Sequence, residues 1–188
     1  MATPKSAYSV STKKEKSDTH IIVVWVDNES GVLARVVGLF SGRGYNIDSL
    51  AVAEVDKKKN ISRITISTSG TPQVLHQIKL QLGKLVPVHK VADFPSNKKT
   101  LMREMALLKV VSSSSQLQRA KKLCKKYKYA VLDQTSRSFV FEVSALKKEI
   151  DNLIKKLQPL GLASASRTGV VAMTRGPEVY KQSFKEVL

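Results

Sequence analysis

The feature that most constrains the fold of this 188-residue chain is an order of apolar patterns that occurs twice. In each copy a short apolar run is followed by a stretch with helical spacing, two further runs, a second helical stretch and a last run. Short runs rich in β-branched residues indicate strands, and apolar residues three and four positions apart indicate helices. The repeated order βαββαβ predicts an α+β protein made of two ferredoxin-like domains in tandem.

The first domain is predicted to span residues 20–95. It opens with a continuous apolar run at residues 20–26, which is typical of a buried strand. Gly42 and Gly44 end the first helix, and Thr71-Pro72 begins the second. The remaining strands of this domain are predicted at residues 45–55, 61–69 and about 85–94.

The second domain is predicted to span residues 102–176, after a polar linker at residues 96–101. Its strands are predicted at residues 104–111, 129–132, 139–143 and 162–173. Both ends of the chain are predicted to lie outside the folded domains. Residues 1–19 are rich in Ser, Thr and Lys and lack hydrophobic periodicity, which predicts a disordered tail. Residues 177–188 are expected to form a C-terminal tail.

The formal net charge of +17 is unevenly distributed along the chain. Residues 1–96 carry 13 Lys and Arg against 8 Asp and Glu, whereas residues 97–188 carry 19 against 7. The second half should therefore attract an anionic partner, although charge alone does not distinguish nucleic acid, a nucleotide, an acidic protein surface or plain solvation. The chain has no apolar run long enough for a membrane span and a single cysteine, Cys124, so we expect no membrane contact and a cytoplasmic location.

No arrangement of residues in the sequence indicates catalysis. His20, His76 and His89 are far apart and have no second ligand at metal-binding spacing, so no metal site is expected. Cys124 follows Leu123 on an apolar helix face, which favours packing over nucleophilic chemistry. Phosphate-binding and nucleophile-elbow motifs are absent from the sequence. We therefore expect no catalytic residues and no cofactor bound by this chain.

The strongest candidate for a binding site is the junction of the first strand and first helix, Asp27 to Leu33. A helix start offers unpaired backbone N–H groups and a positive dipole end, which suit a carboxylate. Gly31 allows close approach of a ligand, and the Asn28 amide can both donate and accept hydrogen bonds. Val32, Leu33 and Ile47 could line an apolar pocket. Alternatively, Asn28 or Ser30 merely caps the helix and Gly31 merely turns the chain.

Several stretches of the chain resemble the small subunits of acetolactate (acetohydroxyacid) synthase, whose N-terminal domain is an ACT domain. The most specific stretch runs from Asp27 to Leu50. Further stretches that resemble the family lie at residues 62–66, 77–88, 103–110 and 167–172. The resemblance implies that two ACT domains pair side by side in a homodimer and bind valine at their interface. Asn28, Gly31, Val32 and Leu33 would come from one chain, and Asn46 and Ile47 from its neighbour.

The resemblance also implies a partner, the large catalytic subunit, which carries thiamine diphosphate, magnesium and FAD. This chain would bind none of the three. It would activate the catalytic subunit and make it sensitive to valine, with its second domain helping in the contact.

Two alternatives come from other classes of protein. An ACT-type sensor could serve another enzyme of amino-acid metabolism. RNA-recognition domains also have the order βαββαβ, and residues 137–143 partly match one of their motifs. That match lacks Gly after Arg137 and has Ser144 where an aromatic residue is expected, so nucleic acid is not an expected partner.

Overall fold

The computed structural model describes residues 18–94, 100–127 and 129–177. The first domain contains β1 (Asp18–Asp27), α1 (Val32–Ser41), β2 (Ser49–Asp56), β3 (Ile61–Gly70), α2 (Pro72–Leu82) and β4 (Val88–Phe94). The second contains β5 (Thr100–Val111), α3 (Ser114–Cys124), β6 (Tyr129–Gln134), β7 (Ser138–Ala145), α4 (Lys147–Leu157), a 3-10 turn (Gln158–Leu160) and β8 (Leu162–Thr174). No helix in these ranges is long and apolar enough to cross a membrane.

Each domain has one four-stranded antiparallel sheet, with strand orders β2-β3-β1-β4 and β6-β7-β5-β8. Helices α1 and α2 pack on one face of the first sheet, and α3 and α4 on one face of the second. The apolar faces of the helices and the facing side of each sheet contribute about equally to each core. The prediction of two ferredoxin-like domains is confirmed.

The first strand is buried on both faces, which explains its continuous apolar run. Ile22, Val24 and Val26 point into the core beneath the helices of the first domain. Ile21, Val23 and Trp25 belong to a second apolar cluster, which includes Val170 and Ala172 of β8. The outer face of the first sheet is therefore covered by the second domain at β1 and β4, and the two domains share a core cluster.

The predicted start of β2 at Tyr45 is wrong. The strand begins at Ser49, because residues 45–48 make other hydrogen bonds. The Tyr45 amide donates to the Phe40 carbonyl at 2.9 Å, and the Asn46 carbonyl accepts from the Thr68 hydroxyl at 2.7 Å. These contacts hold residues 45–48 as a connection between α1 and β2.

Two predicted boundaries also shift. Asp18 and Thr19, expected in the tail, pair with Gly70 and Ser69 of β3. Thr100 and Leu101, expected in the linker, pair with β8. At β1 backbone pairing extends past the apolar pattern to polar residues, and at β5 it begins before the predicted strand and includes Leu101. The rest of the predicted N-terminal tail and most of the linker and C-terminal tail lie outside the described residues.

Candidate functional site

The junction between β1 and α1 presents a helix start without a side-chain cap. The N-cap residue is Gly31, with φ 85° and ψ −10°, and no side chain makes a capping hydrogen bond. This conformation is left-handed, which glycine adopts without steric cost. The alternative that Asn28 or Ser30 caps α1 is therefore wrong.

The first-turn amides of α1 are available to an anion. The first intrahelical bond runs from the Arg35 amide to the Gly31 carbonyl at 3.0 Å. The Val32 amide donates to the backbone carbonyl of Glu29 at 3.4 Å. The amides of Leu33 and Ala34 have no acceptor inside a helix that begins at Val32. The first turn also contains no acidic side chain. The positive end of the helix dipole is therefore not neutralised from within the helix.

Asn28 is held beside this helix start by the beginning of β3. Its backbone amide donates to the Asn60 carbonyl at 2.7 Å. Its side-chain oxygen accepts from the Ser62 hydroxyl at 3.0 Å. A carbonyl oxygen has two lone pairs, so this one can accept a second hydrogen bond, and the side-chain NH₂ has two donors. Asn28 is exposed, so both groups are within reach of a ligand.

The predicted apolar lining residues differ in accessibility. The Val32 side chain is buried in the core of the first domain, so only its backbone can face a ligand at this end. Leu33 is 42% exposed and stands at the helix start. Ile47 is half-buried and packs against the same core cluster as Val32.

Asn46 and Ile47 lie at the opposite end of the sheet from Asn28. Asn46 contacts Thr68 and donates to the Asp48 carboxylate at 2.7 Å, whereas Asn28 contacts Ser62. Six residues of extended β3 separate Ser62 from Thr68, a distance of about 20 Å. An amino acid is far shorter. One copy of the chain therefore brings four of the six predicted residues together and leaves the other two apart.

A histidine–aspartate pair beside this site was not predicted. His89 Nε2 lies 2.6 Å from the Asp27 carboxylate, and the Asp27 amide donates to the Pro87 carbonyl at 2.9 Å. The sequence gives no signal for a pair 62 residues apart. His20 likewise contacts Asp93 at 3.0 Å. Both histidines are therefore hydrogen-bonded to carboxylates of the same domain.

The residues considered for other chemistry are placed in packing roles. Cys124 is buried in the second core, and burial raises the pKa of its thiol to about 12, which disfavours a nucleophilic thiolate. Within the described ranges no three His, Cys, Asp or Glu side chains are grouped so as to hold a metal ion. Phe139 and Phe141, which lie in the RNA-like motif, stack on each other at 5.1 Å inside that core and cannot stack on bases.

Two family models together match most of the chain. The family described as the AHAS small subunit-like ACT domain matches residues 22–90, and the family described as the small subunit of acetolactate synthase matches residues 103–176. The acetolactate synthase small subunit of Aquifex aeolicus (strain VF5) is 37% identical over 164 residues, which cover 87% of this chain and 84% of the relative.

Two further matches cover nearly all of their own chains. The acetolactate synthase small subunit of Haemophilus influenzae is 38% identical over 157 residues, or 83% of this chain and 95% of the relative. The crystal structure of the acetolactate synthase small subunit from Thermotoga maritima has a TM-score of 0.78 at 31% identity, covering 85% of this chain and 98% of that chain. These matches and the two βαββαβ domains show that the chain belongs to the family of acetolactate synthase small subunits, the regulatory subunits of an enzyme of branched-chain amino-acid biosynthesis.

Proposed function

We propose that this chain activates the thiamine-diphosphate-dependent catalytic subunit of acetolactate synthase and makes it sensitive to feedback inhibition by valine. The observation that carries the proposal is the uncapped start of α1, formed by Gly31 and flanked by the fixed amide of Asn28. Catalysis, with thiamine diphosphate, magnesium and FAD, belongs to the partner in this proposal. The site of action would be the cytoplasm.

The chemistry of the helix start suits an amino acid. The ligand carboxylate would accept hydrogen bonds from the amides of Leu33 and Ala34 and lie at the positive end of the helix dipole. The side-chain oxygen of Asn28 would accept from the ligand ammonium. The exposed Leu33 side chain would contact the branched aliphatic group.

A second copy of the chain would close the pocket. Strand β2 is at the edge of its sheet and carries the exposed side chains Val52 and Val55, so it is available for pairing. The end of β2 and the end of β1 both lie beside Ile61. Antiparallel pairing of β2 with its copy would therefore bring the start of the second β2, preceded by Asn46 and Ile47, to the Asn28 end.

Regulation would follow from this shared site. Valine bound between two copies stabilises one arrangement of the ACT dimer over others, because it contacts both chains. The second domains move with the first, since they share an apolar cluster with them. Valine would then reduce activation by a coupling of about 1–3 kcal/mol, or roughly 5- to 150-fold.

The first test combines an activity assay with a substitution at Gly31. A purified catalytic subunit is assayed with and without this chain, and valine is then titrated. Gly31→Asp places a carboxylate where the carboxylate of the ligand would lie, so this variant should still activate but no longer respond to valine.

Gly176→Asp provides a matched control for the backbone strain. Gly176 has φ 76°, close to that of Gly31, and a Cβ at either position would have open space around it. The control should keep its response to valine. If Gly31→Asp were inhibited at the same valine concentration as the wild type, the proposed site would be wrong. If the wild type activated a different enzyme of amino-acid metabolism instead, the chain would be an ACT sensor for that enzyme.

A further inference from the structure

The helical face of the second domain contains a groove with an apolar floor and a cationic rim. Leu123, Pro159 and Leu160 form the floor, between α3 and the 3-10 turn after α4. The rim consists of Arg119, Lys122, Lys126 and Lys156. We call this surface the α3 groove. Its volume is about 630 Å³, enough for several side chains, and no acidic residue lines it.

The rim cations have no counter-ions in the part of the chain that the structure describes. None of the four forms a salt bridge there, and α3 contains no Asp or Glu. The neighbouring Lys121 differs, since its ammonium donates to the Gln134 side chain at 2.7 Å and lies over the Phe139 ring.

Among the described residues, no ion pair offsets the repulsion between the rim cations. Arg119, Lys122 and Lys126 follow one another at spacings of three and four residues, so they share one side of α3 and of the turn after it, and like charges at this spacing repel. The helix dipole favours cations only in the last turn, which includes Lys122 but not Arg119. A partner that carries negative charge would relieve this repulsion.

We infer that the α3 groove docks an acidic amphipathic segment of the catalytic subunit. Apolar side chains of that segment cover Leu123 and Leu160, and its carboxylates face the four rim cations. The inference rests on the proposed function, which requires a contact with the catalytic subunit.

The position of the α3 groove and its composition favour this occupant. The outer face of the first sheet is already covered at β1 and β4 by β8, whereas the α3 groove is open. A nucleic acid or a phosphate would use the cations but not the aliphatic floor. The groove also contains no aromatic side chain on which a base could stack. An acidic segment with apolar residues uses both the floor and the rim.

The test measures binding of full-length chains to the purified catalytic subunit, without valine, by biolayer interferometry. The double variant Lys122→Glu/Lys126→Glu reverses the charge of two of the four rim residues. We expect its affinity to fall by at least about tenfold, mainly at low salt, because close charge pairs across an interface would become repulsive. The matched control is Lys57→Glu/Lys58→Glu, which makes the same change of charge at exposed lysines of the first domain. The control should bind within about twofold of the wild type.

A second pair of variants tests the apolar floor. Leu160→Gln should weaken binding severalfold without altering the salt dependence, whereas Leu80→Gln, at an exposed leucine of the first domain, should have no effect. Thermal unfolding of each variant confirms that it is folded.

The outcomes separate this inference from the proposed function. A wild-type chain that neither binds nor activates the catalytic subunit would contradict the proposed function itself. A wild-type chain that activates normally, with rim and control variants that bind equally well, would overturn the inference alone. Loss of single-stranded RNA binding in the rim variant, with unchanged binding to the catalytic subunit, would also overturn it and assign the groove to nucleic acid.

Discussion

Gly31 has the backbone conformation on which the exposed amides of α1 depend. Its positive φ lets the chain leave β1 and enter the helix with no side chain above the first turn. Any other residue would add a Cβ in the left-handed region, at a cost of about 1–2 kcal/mol. Apart from Gly31 and its two chain neighbours, no heavy atom of the described residues lies within 4 Å of that Cβ position, so these residues leave the space above the helix start open to a ligand.

Asn28→Ala should weaken valine binding without unfolding the domain. The variant removes the polar group that would contact the ligand ammonium, and loss of one such contact corresponds to about 1–3 kcal/mol. Isothermal titration calorimetry measures the change. Ser62→Ala, which removes only the hydroxyl that holds Asn28, should have a smaller effect. An unchanged affinity of Asn28→Ala for valine would show that the Asn28 side chain does not contact the ligand.

At the residue scale the sequence predicted where α1 begins but not all of the geometry around its start. The residue types between Asp27 and Leu33 indicated a carboxylate site at a helix start, and the structure has an uncapped helix start there. The sequence did not predict that Val32 is buried or that His89 pairs with Asp27, because both depend on residues distant along the chain.

At the scale of elements, β1, α2 and β4 are joined by a charged cluster around Asp93. The Asp93 carboxylate lies 3.0 Å from both His20 of β1 and Lys79 of α2. Burial favours its neutral form, but the hydrogen bonds from His20 and Lys79 outweigh burial and hold the pKa of Asp93 below its ordinary value. The ionised carboxylate therefore stabilises the fold.

Asp93→Asn should make the free energy of unfolding depend less on pH under acidic conditions. Because the pKa is lower in the folded state, ionised Asp93 contributes stability above the unfolded pKa of about 3.9, and this contribution is lost as pH falls through the folded pKa. The variant should be less stable by about 1–2 kcal/mol at pH 7 and should lose less stability than the wild type below about pH 4. Urea unfolding across pH tests this, and parallel profiles for the two proteins would contradict it.

The contact between β2 and β8 depends on Gly169. This glycine is buried with φ 78°, and a Cβ there would lie 3.2 Å from the Ser49 Cβ. The Val170 amide donates to the Ser49 hydroxyl at 3.4 Å. Ser49 begins β2 shortly after Asn46 and Ile47. Its contact with β8 therefore connects this end of the first domain to the second domain.

Gly169→Ala should therefore destabilise the protein more than Gly176→Ala does. Both substitutions add a Cβ at positive φ, at about 1–2 kcal/mol, but only Gly169 also has a close neighbour. Urea midpoints compare the two variants, and hydrogen exchange should show faster opening of β8 in Gly169→Ala alone. Equal midpoints would mean that the contact with Ser49 is not tight.

Element types were easier to predict than element ends. Apolar periodicity predicted both helices and all four strands in each domain, and every helix buries its apolar face in the core of its own domain. The start of β2 was wrong because hydrogen bonds of Tyr45 and Asn46 replace strand pairing. Strands β1 and β5 both start earlier than predicted, and at β1 the added residues are polar because backbone pairing does not need apolar side chains.

At the scale of the whole molecule, the two domains are packed together and the candidate site is split. The apolar cluster shared by β1 and β8 explains why β1 has apolar side chains on both faces. The sequence indicated that β1 is buried but not that the second domain covers one of its faces. The separation of Asn28 from Asn46 by the length of β3 means that the predicted site can be complete only when two copies meet.

In the proposed site, one copy would supply the helix start and a second copy would supply Asn46. Mixing two defective variants, Gly31→Asp and Asn46→Ala, tests it directly by titration calorimetry with valine after subunit exchange. Each variant alone should bind poorly. The mixture should regain tight binding at about a quarter of the wild-type sites, since about half of the dimers are mixed and each has one intact site. A mixture that binds no better than its two components would show that the site is not shared between copies.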